Sequence, residues 1–292
     1  MHDSKEFLES YKLRIENSLK EILFVNTPNR LQEAMSYSVL GGGKRLRPCL
    51  TYIASEIGPK KVPPKTVDNV AASVELIHCY SLIHDDLPAM DDDSLRRGNP
   101  TCHKVFGEDI AILAGDALQT LSCSIIMEEK RLEDHEKVAI IKVITRACGW
   151  NGMVEGQLID ISNDHSLDEK ELDQMHIKKT GELIKASLIT GSLISGLNSE
   201  QIKLISNFGE KIGLAFQIID DLLDVDKDSK SGKERNSDLR NGRITYPSLL
   251  GVEKSRKKAL ALRQEAKEIL SNLNTRVEKL SLVADFVVER NS

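Results

Sequence analysis

Six aspartates stand in two groups, Asp85, Asp86 and Asp91 in SLIHDDLPAMDDD and Asp220, Asp221 and Asp224 in FQIIDDLLDVDKD, each directly after a strongly apolar segment. A buried carboxylate without a partner is costly or takes up a proton, so acids walled by Leu, Ile and Phe call for cations. Hard divalent metals with oxygen ligands meet that demand. Three basic groups could grip an anion on the far side of such metals: Lys44, Arg45 and Arg47; Arg96 and Arg97; Lys178 and Lys179. One basic pair alone reads as solvated surface, but three beside two acid clusters do not. Arginine forks match phosphate oxygens in pairs, lysine adds point charge, and Mg2+ is commonly held by a few carboxylates plus substrate phosphates. The combination predicts a diphosphate site.

Helix geometry makes the second cluster simple. Asp220 and Asp224 are four residues apart and share a face, with Gln217 one turn earlier. The first is not simple: Asp85 and Asp91 are separated by about 240° around an ideal helix, whereas Asp92 falls almost above Asp85. Pro88 removes a donor and clashes with the preceding turn, so the helix should distort or end there and could swing Asp91 inward. Spacing alone leaves Asp91 and Asp92 open.

The elements that carry these residues read as helices. Gly and Pro concentrate at GGGKRLRP (41 to 48), GPKKVPPK (58 to 65) and SGKERNSDLRNG (231 to 242), leaving long stretches without breakers. Residues 65 to 86 carry Val67, Val70, Ala71, Val74, Ile77 and Ser81 at spacings of three and four, and Ser166 with Glu169 predicts a capping box opening a segment from about 168 to 196. Further helices are expected at roughly 3 to 23, 28 to 40, 44 to 57, 104 to 128, 135 to 161, 199 to 226, 244 to 271 and 274 to 290. No alternating pattern competes. The expectation is an all-α, single-domain bundle of about ten or more helices spanning 1 to 292, with 253 to 271 as an exposed amphipathic helix.

Composition excludes other classes. The 292 residues carry a net charge of −5 and 40% apolar residues, which supports a large core but gives no basic field for nucleic acid. The N-terminus mixes acids and bases, and the longest apolar runs are broken by Lys185 or Asp285, so no stable membrane insertion is expected and a cytoplasmic location is. Cys49, Cys79, Cys102, Cys123 and Cys148 are odd in number and form no CxxC pair, which fits buried free thiols rather than a disulfide framework or zinc site.

GGGKRLRP, ELIHCYSLIHDDLPAMDDDSLRRGNPT, HIKKTGELI, FQIIDDLLDV and the tail leading to TYPSLLG resemble, in order and spacing, the trans-type (head-to-tail) isoprenyl diphosphate synthases, most closely their bacterial farnesyl-producing branch. The resemblance implies a homodimer whose helices surround a deep central cavity with the two aspartate motifs facing across its mouth. It favours Asp91 over Asp92, so that Asp85, Asp86, Asp91, Asp220, Asp221 and Asp224 form the metal platforms for up to three Mg2+, with Mn2+ as a substitute. It further implies that Lys44, Arg47, His78 and Arg97 hold isopentenyl diphosphate, that Arg96, Lys179 and Lys233 grip the allylic diphosphate, and that Thr180 and Gln217 line the reacting carbon. The reaction implied is ionisation, condensation and elimination, requiring no Ser, Cys or His nucleophile, with Asp85, Asp91, Lys179, Thr180, Gln217 and Asp220 at its centre. His78 on its own would read as a core histidine; the motif alone makes it a ligand.

By the same resemblance Tyr80, five positions before Asp85, floors the pocket for the growing chain, beside Ser81. An aromatic ring there, with Pro88-Ala89 inserted in the motif, suits a C15 product; a geranylgeranyl-producing enzyme would differ only in pocket depth. The chain departs from the family at Lys227, Asn236 and Arg243, which puts a direct phosphate role for Arg243 in doubt, and residues 227 to 242 are expected to close over bound diphosphate. A terpene cyclase would not need Lys44, Arg47 and His78, and a regulatory subunit should have lost an acidic motif.

Overall fold

The computed structural model describes residues 2–162, 167–231 and 244–290. Helices dominate them: α1 (His2–Ile22), α2 (Arg30–Leu40), α3 (Leu46–Ser55), α4 (Pro64–Asp85), α5 (Cys102–Phe106), α6 (Glu108–Glu128), α7 (Asp134–Cys148), α8 (Met153–Ile161), α9 (Glu169–His176), α10 (Glu182–Ile194), α11 (Ser199–Ser231), α12 (Tyr246–Leu250), α13 (Val252–Ser271) and α14 (Glu278–Glu289). The all-α expectation holds, and one feature was not foreseen. Leu95–Arg96 and Asn99–Pro100 form a two-residue antiparallel hairpin, β1 and β2, turning at Arg97 and Gly98, both at positive φ.

The expected long helices are cut where the backbone leaves helical space. The stretches 104 to 128 and 244 to 271 break at Gly107 (φ 96°) and Gly251 (φ 81°). The stretch 135 to 161 divides into α7 and α8 at Gly149 to Gly152. Asp168 and Glu171, not Ser166 and Glu169, make the capping box of α9, each side chain accepting from the other's backbone N–H at 2.9 Å. Ser166 lies outside the described residues. Between α9 and α10 the chain widens into a single π-turn, Ile177–Gly181, a helical defect frequent at functional sites.

Helix α4 runs through the centre. Val70, Val74, Leu76 and Ile77 are essentially fully buried on it, so it shows no single apolar stripe, and each such side chain contributes about 1.5–3 kcal/mol of burial. Its neighbours α3, α6 and α10 enclose it. Gly156 of α8 lets the π-turn pack against it: a Cβ there would lie 2.2 Å from the Lys179 backbone nitrogen. On α13, Ala259, Leu262, Ala266 and Leu270 face inward at helical spacing and the charged residues face out, as expected of an amphipathic helix. Among the described residues α6 is the one helix long and apolar enough to cross a membrane; a third of its most apolar window is buried. All five cysteines are free, and four are buried.

Candidate active site

Asp85 ends α4 and Asp86 caps it. Beyond Pro88 the helical ladder is replaced by a tight turn, in which the Met90 and Asp92 N–H groups donate to the Leu87 carbonyl and the Asp91 N–H donates back to the Asp85 carbonyl at 2.9 Å. That fold-back sets Asp91 beside Asp85. Asp92 takes a left-handed conformation (φ 49°), and its side chain, 63% exposed, turns toward Lys104 at 3.8 Å. Burial pushes the Asp85 carboxyl up to about 6, with Lys179 opposing and Asp91 adding to the rise. The crowded acid lacks enough positive charge around it.

Asp86 is arranged differently. Its side chain is only 5% exposed and receives Arg96 Nε at 3.0 Å and a second bond from Nη2, while Arg96 Nη2 also reaches Asp93 at 3.4 Å. Arg96 is thus the counter-ion that the hairpin brings back onto the first motif.

On α11, Asp220 is one third exposed and meets two cations, Arg290 Nη2 at 2.8 Å and Lys44 Nζ at 3.9 Å. The neighbouring Asp221 is buried, accepting from the Tyr246 N–H at 3.0 Å and from Gln217 Nε2 at 2.9 Å. Gln217 Oε1 in turn accepts from the Thr180 hydroxyl at 3.0 Å. One chain of hydrogen bonds therefore runs from the start of α12 to the π-turn. Asp224 lies a turn beyond Asp220 and is partly exposed. The two lysines of the turn are held by acids of α8: Lys178 by Glu155 and Lys179 by Asp160.

A cavity of about 380 Å³ is lined by the polar Arg47, His78, Ser81, Asp85, Lys179 and Thr180 together with Tyr80, Met153 and Leu158. Burial, and then the positive field of Arg47 and Arg97, holds His78 well below its ordinary value, so its imidazole is neutral at pH 7. Arg97 donates to the Gly42 carbonyl, binding the hairpin to the glycine loop that carries Lys44.

Most residues expected at the site thus gather here, with one correction. Arg45 is not available to a substrate anion; it is buried in an ion pair with Glu75 at 2.6 Å. Lys233, Asn236 and Arg243 lie outside the described residues, and the backbone from 227 to 231 continues α11 rather than starting a loop. Three contributors escaped the sequence reading. Arg290, its side chain 2% exposed, reaches Asp220 and the Phe216 carbonyl and stacks 3.8 Å from the Phe216 ring. Asp160 holds Lys179, and Gln157, with neither end of its amide bonded, lines the cavity. The polar residues in the apolar runs GQLID and DFVVER were the available signals.

The donor set fits Mg2+. Asp85 and Asp91 on one side and Asp220 and Asp224 on the other offer hard oxygens, and among the described residues no three acid, histidine or cysteine side chains converge closely enough to hold an ion unaided. Water and substrate oxygens would complete such a shell, the usual arrangement for this ion.

An all-α fold whose cavity gathers Asp85 with Arg47, His78 and Lys179, and whose second aspartate group meets Lys44 and Arg290, suits the handling of diphosphates. The polyprenyl synthetase family matches residues 28–286, and the chain belongs to it: it is a prenyltransferase. It is 44% identical to the farnesyl diphosphate synthase of Escherichia coli K12 over 92% of this chain and 91% of that one. It is 38% identical to a chloroplastic geranylgeranyl pyrophosphate synthase of Catharanthus roseus, over 99% and 82% respectively. Among solved structures, a geranyltransferase from Legionella pneumophila superposes with TM-score 0.85 at 33% identity, covering 99% of this chain and 98% of that one. A Helicobacter pylori geranyltransferase complexed with magnesium and isoprenyl diphosphate superposes with TM-score 0.81 at 33% identity, covering 97% and 96%.

Proposed function

We propose that the chain condenses isopentenyl diphosphate with dimethylallyl or geranyl diphosphate, head to tail, to give farnesyl diphosphate and pyrophosphate. The observation that carries this reading is the cavity, in which Asp85, Arg47, His78 and Lys179 share one space with Tyr80 and apolar side chains. Mg2+ bound between Asp85 with Asp91 and Asp220 with Asp224, as up to three ions and with Mn2+ as a substitute, would neutralise charge on the departing diphosphate.

The protein's own groups do the rest. Lys179, oriented by Asp160, adds charge to the leaving diphosphate, and Lys44, Arg47 and Arg97 with neutral His78 hold the second diphosphate. The Thr180 hydroxyl donates its hydrogen bond to Gln217 Oε1, so its oxygen lone pairs remain to face positive charge developing on the allylic carbon. Met153 and Tyr80, both buried along the cavity, exclude water, which would otherwise capture that carbon. The isopentenyl double bond attacks the allylic carbon, and transfer of a proton from the resulting cation to the departed pyrophosphate completes a product longer by five carbons. Tyr80, buried and packed edge-on against the His84 ring at 5.8 Å, closes the pocket and supports a C15 product over C20.

The working unit on this reading is a cytoplasmic homodimer. Ile112, Leu113 and Met127 of α6 and Trp150, 83% exposed, leave apolar surface that a second copy would cover. Sedimentation equilibrium tests that assembly. The enzyme is tested with Mg2+, isopentenyl diphosphate and either allylic diphosphate, followed by dephosphorylation and sizing of the alcohols. An EDTA-sensitive C15 alcohol is expected; no prenyl alcohol refutes the reading, and a C20 alcohol transfers it to the geranylgeranyl-producing branch.

A further inference from the structure

The glycine loop between α2 and α3 presents Lys44, and Arg47 follows in the first turn of α3, yet Arg45 between them points the opposite way. Arg45 is buried on α3's threshold with its guanidinium spanning three elements: Nη1 donates to Glu75 of α4 at 2.6 Å and Nη2 to the Val39 carbonyl near the end of α2 at 2.6 Å. Its own carbonyl accepts the Cys49 N–H, opening α3. Val39 and Arg45 bracket the loop, so the Nη2 bond ties its base shut. The backbone of Arg45 is left-handed (φ 51°, ψ 31°), a conformation that a non-glycine residue keeps only where its surroundings over-determine it. Above this base, the Gly42 carbonyl receives Arg97, and Gly43 packs so closely that a Cβ would lie 2.7 Å from the Arg97 guanidinium carbon.

We propose that Arg45 is a positioning residue: its two-acceptor clasp on Val39 and Glu75 sets the glycine loop, and through it places Lys44, Arg47 and Arg97 for the non-allylic diphosphate. This rests on the prenyl-transfer reading. Arg45 touches no substrate. The fork is required because only a guanidinium reaches both acceptors at once, whereas a lysine ammonium must choose one, and the buried Glu75 charge holds it. The clasp reaches the Asp85 side only at one remove, along α4 from Glu75 and through the hairpin, where Arg97 holds the loop and Arg96 holds Asp86, so the allylic substrate should respond more weakly than isopentenyl diphosphate.

The test is the variant Arg45→Lys, which keeps a cation on Glu75 while opening the loop base. A displacement of catalytic cations on the ångström scale predicts a rise of about tenfold in KM for isopentenyl diphosphate, against less than about twofold in KM for geranyl diphosphate and in kcat. An unchanged KM for isopentenyl diphosphate overturns the proposal, and so does a parallel rise in both constants, which a general loosening would give. If Arg45→Lys melts too low to assay, the double variant Arg45→Met with Glu75→Met removes both buried charges at similar volume. It must show the same one-sided KM rise; a wild-type KM there refutes the clasp. A wild-type enzyme that makes no prenyl product would instead refute the underlying function.

Discussion

Two polar regions of this bundle are built from the same residue types and are satisfied to very different degrees. At the closed base, the Tyr11 hydroxyl donates to Glu56 at 2.6 Å and receives Lys279 at 2.7 Å, Lys279 reaches Glu56 at 2.6 Å, and Asp68 accepts from both Arg14 at 2.7 Å and Tyr52 at 2.8 Å. Tyr11 and Tyr52 stack at 5.4 Å, with the Arg14 guanidinium over the Tyr52 ring. At the mouth, buried N–H groups of Arg47 and Arg290 and both ends of the Gln157 amide have no partner, and burial pushes the Asp85 carboxyl up to about 6. A base built this way contributes to stability by itself. The mouth is stabilised only when something anionic and something cationic enter together, which is how binding free energy comes to be directed at a substrate.

The sharpest way to break that contrast is at Asp85. Asp85→Asn should lower kcat by about a thousandfold if, as proposed, Asp85 supplies a metal oxygen where transition-state charge is neutralised. The thermal midpoint without ligand should stay level or rise, since the substitution relieves a buried, crowded charge. A falling midpoint with activity retained would place Asp85 with the base network instead. Next in size is Tyr80→Ala, measured by sizing the product alcohols. Opening the apolar end should move the main product from C15 to C20 or longer with little change in first-turnover rate, and an unchanged C15 alcohol would remove Tyr80 from the pocket floor.

How much of this was legible beforehand follows the same division. Local rules carried far: acids at i and i+4 put Asp220 and Asp224 on one face, and Pro88 did end regular helix in the first motif, which is why Asp91 comes back onto Asp85 while helix geometry had pointed to Asp92. The breaks at Gly107 and Gly251 were visible as residues but not as breaks, since glycine inside a helical pattern signals positive φ only when tertiary contacts demand it. Arg45 was misread because charge type says nothing of direction, and its partner Glu75 is 30 positions away. Arg290 was missed for a related reason: its link to Asp220 depends on how α14 lies against α11.

His176 sits between the two regions and permits a measurement of intermediate size. It is buried, stacked on Tyr246 at 5.3 Å, with neither ring nitrogen bonded, and burial pushes its pKa down to about 3. The folded state therefore binds fewer protons than the unfolded state, in which His titrates near 6.5. Stability is full above that pH and is lost as pH falls toward 3, by about 1.4 kcal/mol for each pH unit between the two values. His176→Phe should flatten this part of the acid limb in urea titrations run from pH 7 to pH 4. A limb of unchanged slope would mean that the ring finds a proton acceptor in the folded protein.

The smallest effect belongs to the base. Tyr11→Phe deletes one hydroxyl that both gives to Glu56 and takes from Lys279, while leaving the ring stack on Tyr52 in place. Lys279 and Glu56 are each about half exposed and still meet each other at 2.6 Å, so they remain paired and solvated. The loss should be about 1 kcal/mol in the unfolding free energy, the ordinary net value of a satisfied hydrogen bond, with kcat and both KM values at wild type. The network joins α1, the C-cap of α3 and α14. Because α14 also carries Arg290 to Asp220, a Tyr11→Phe protein that kept its stability but lost activity would show that the base positions the mouth through that helix, and the two regions would have to be treated as one.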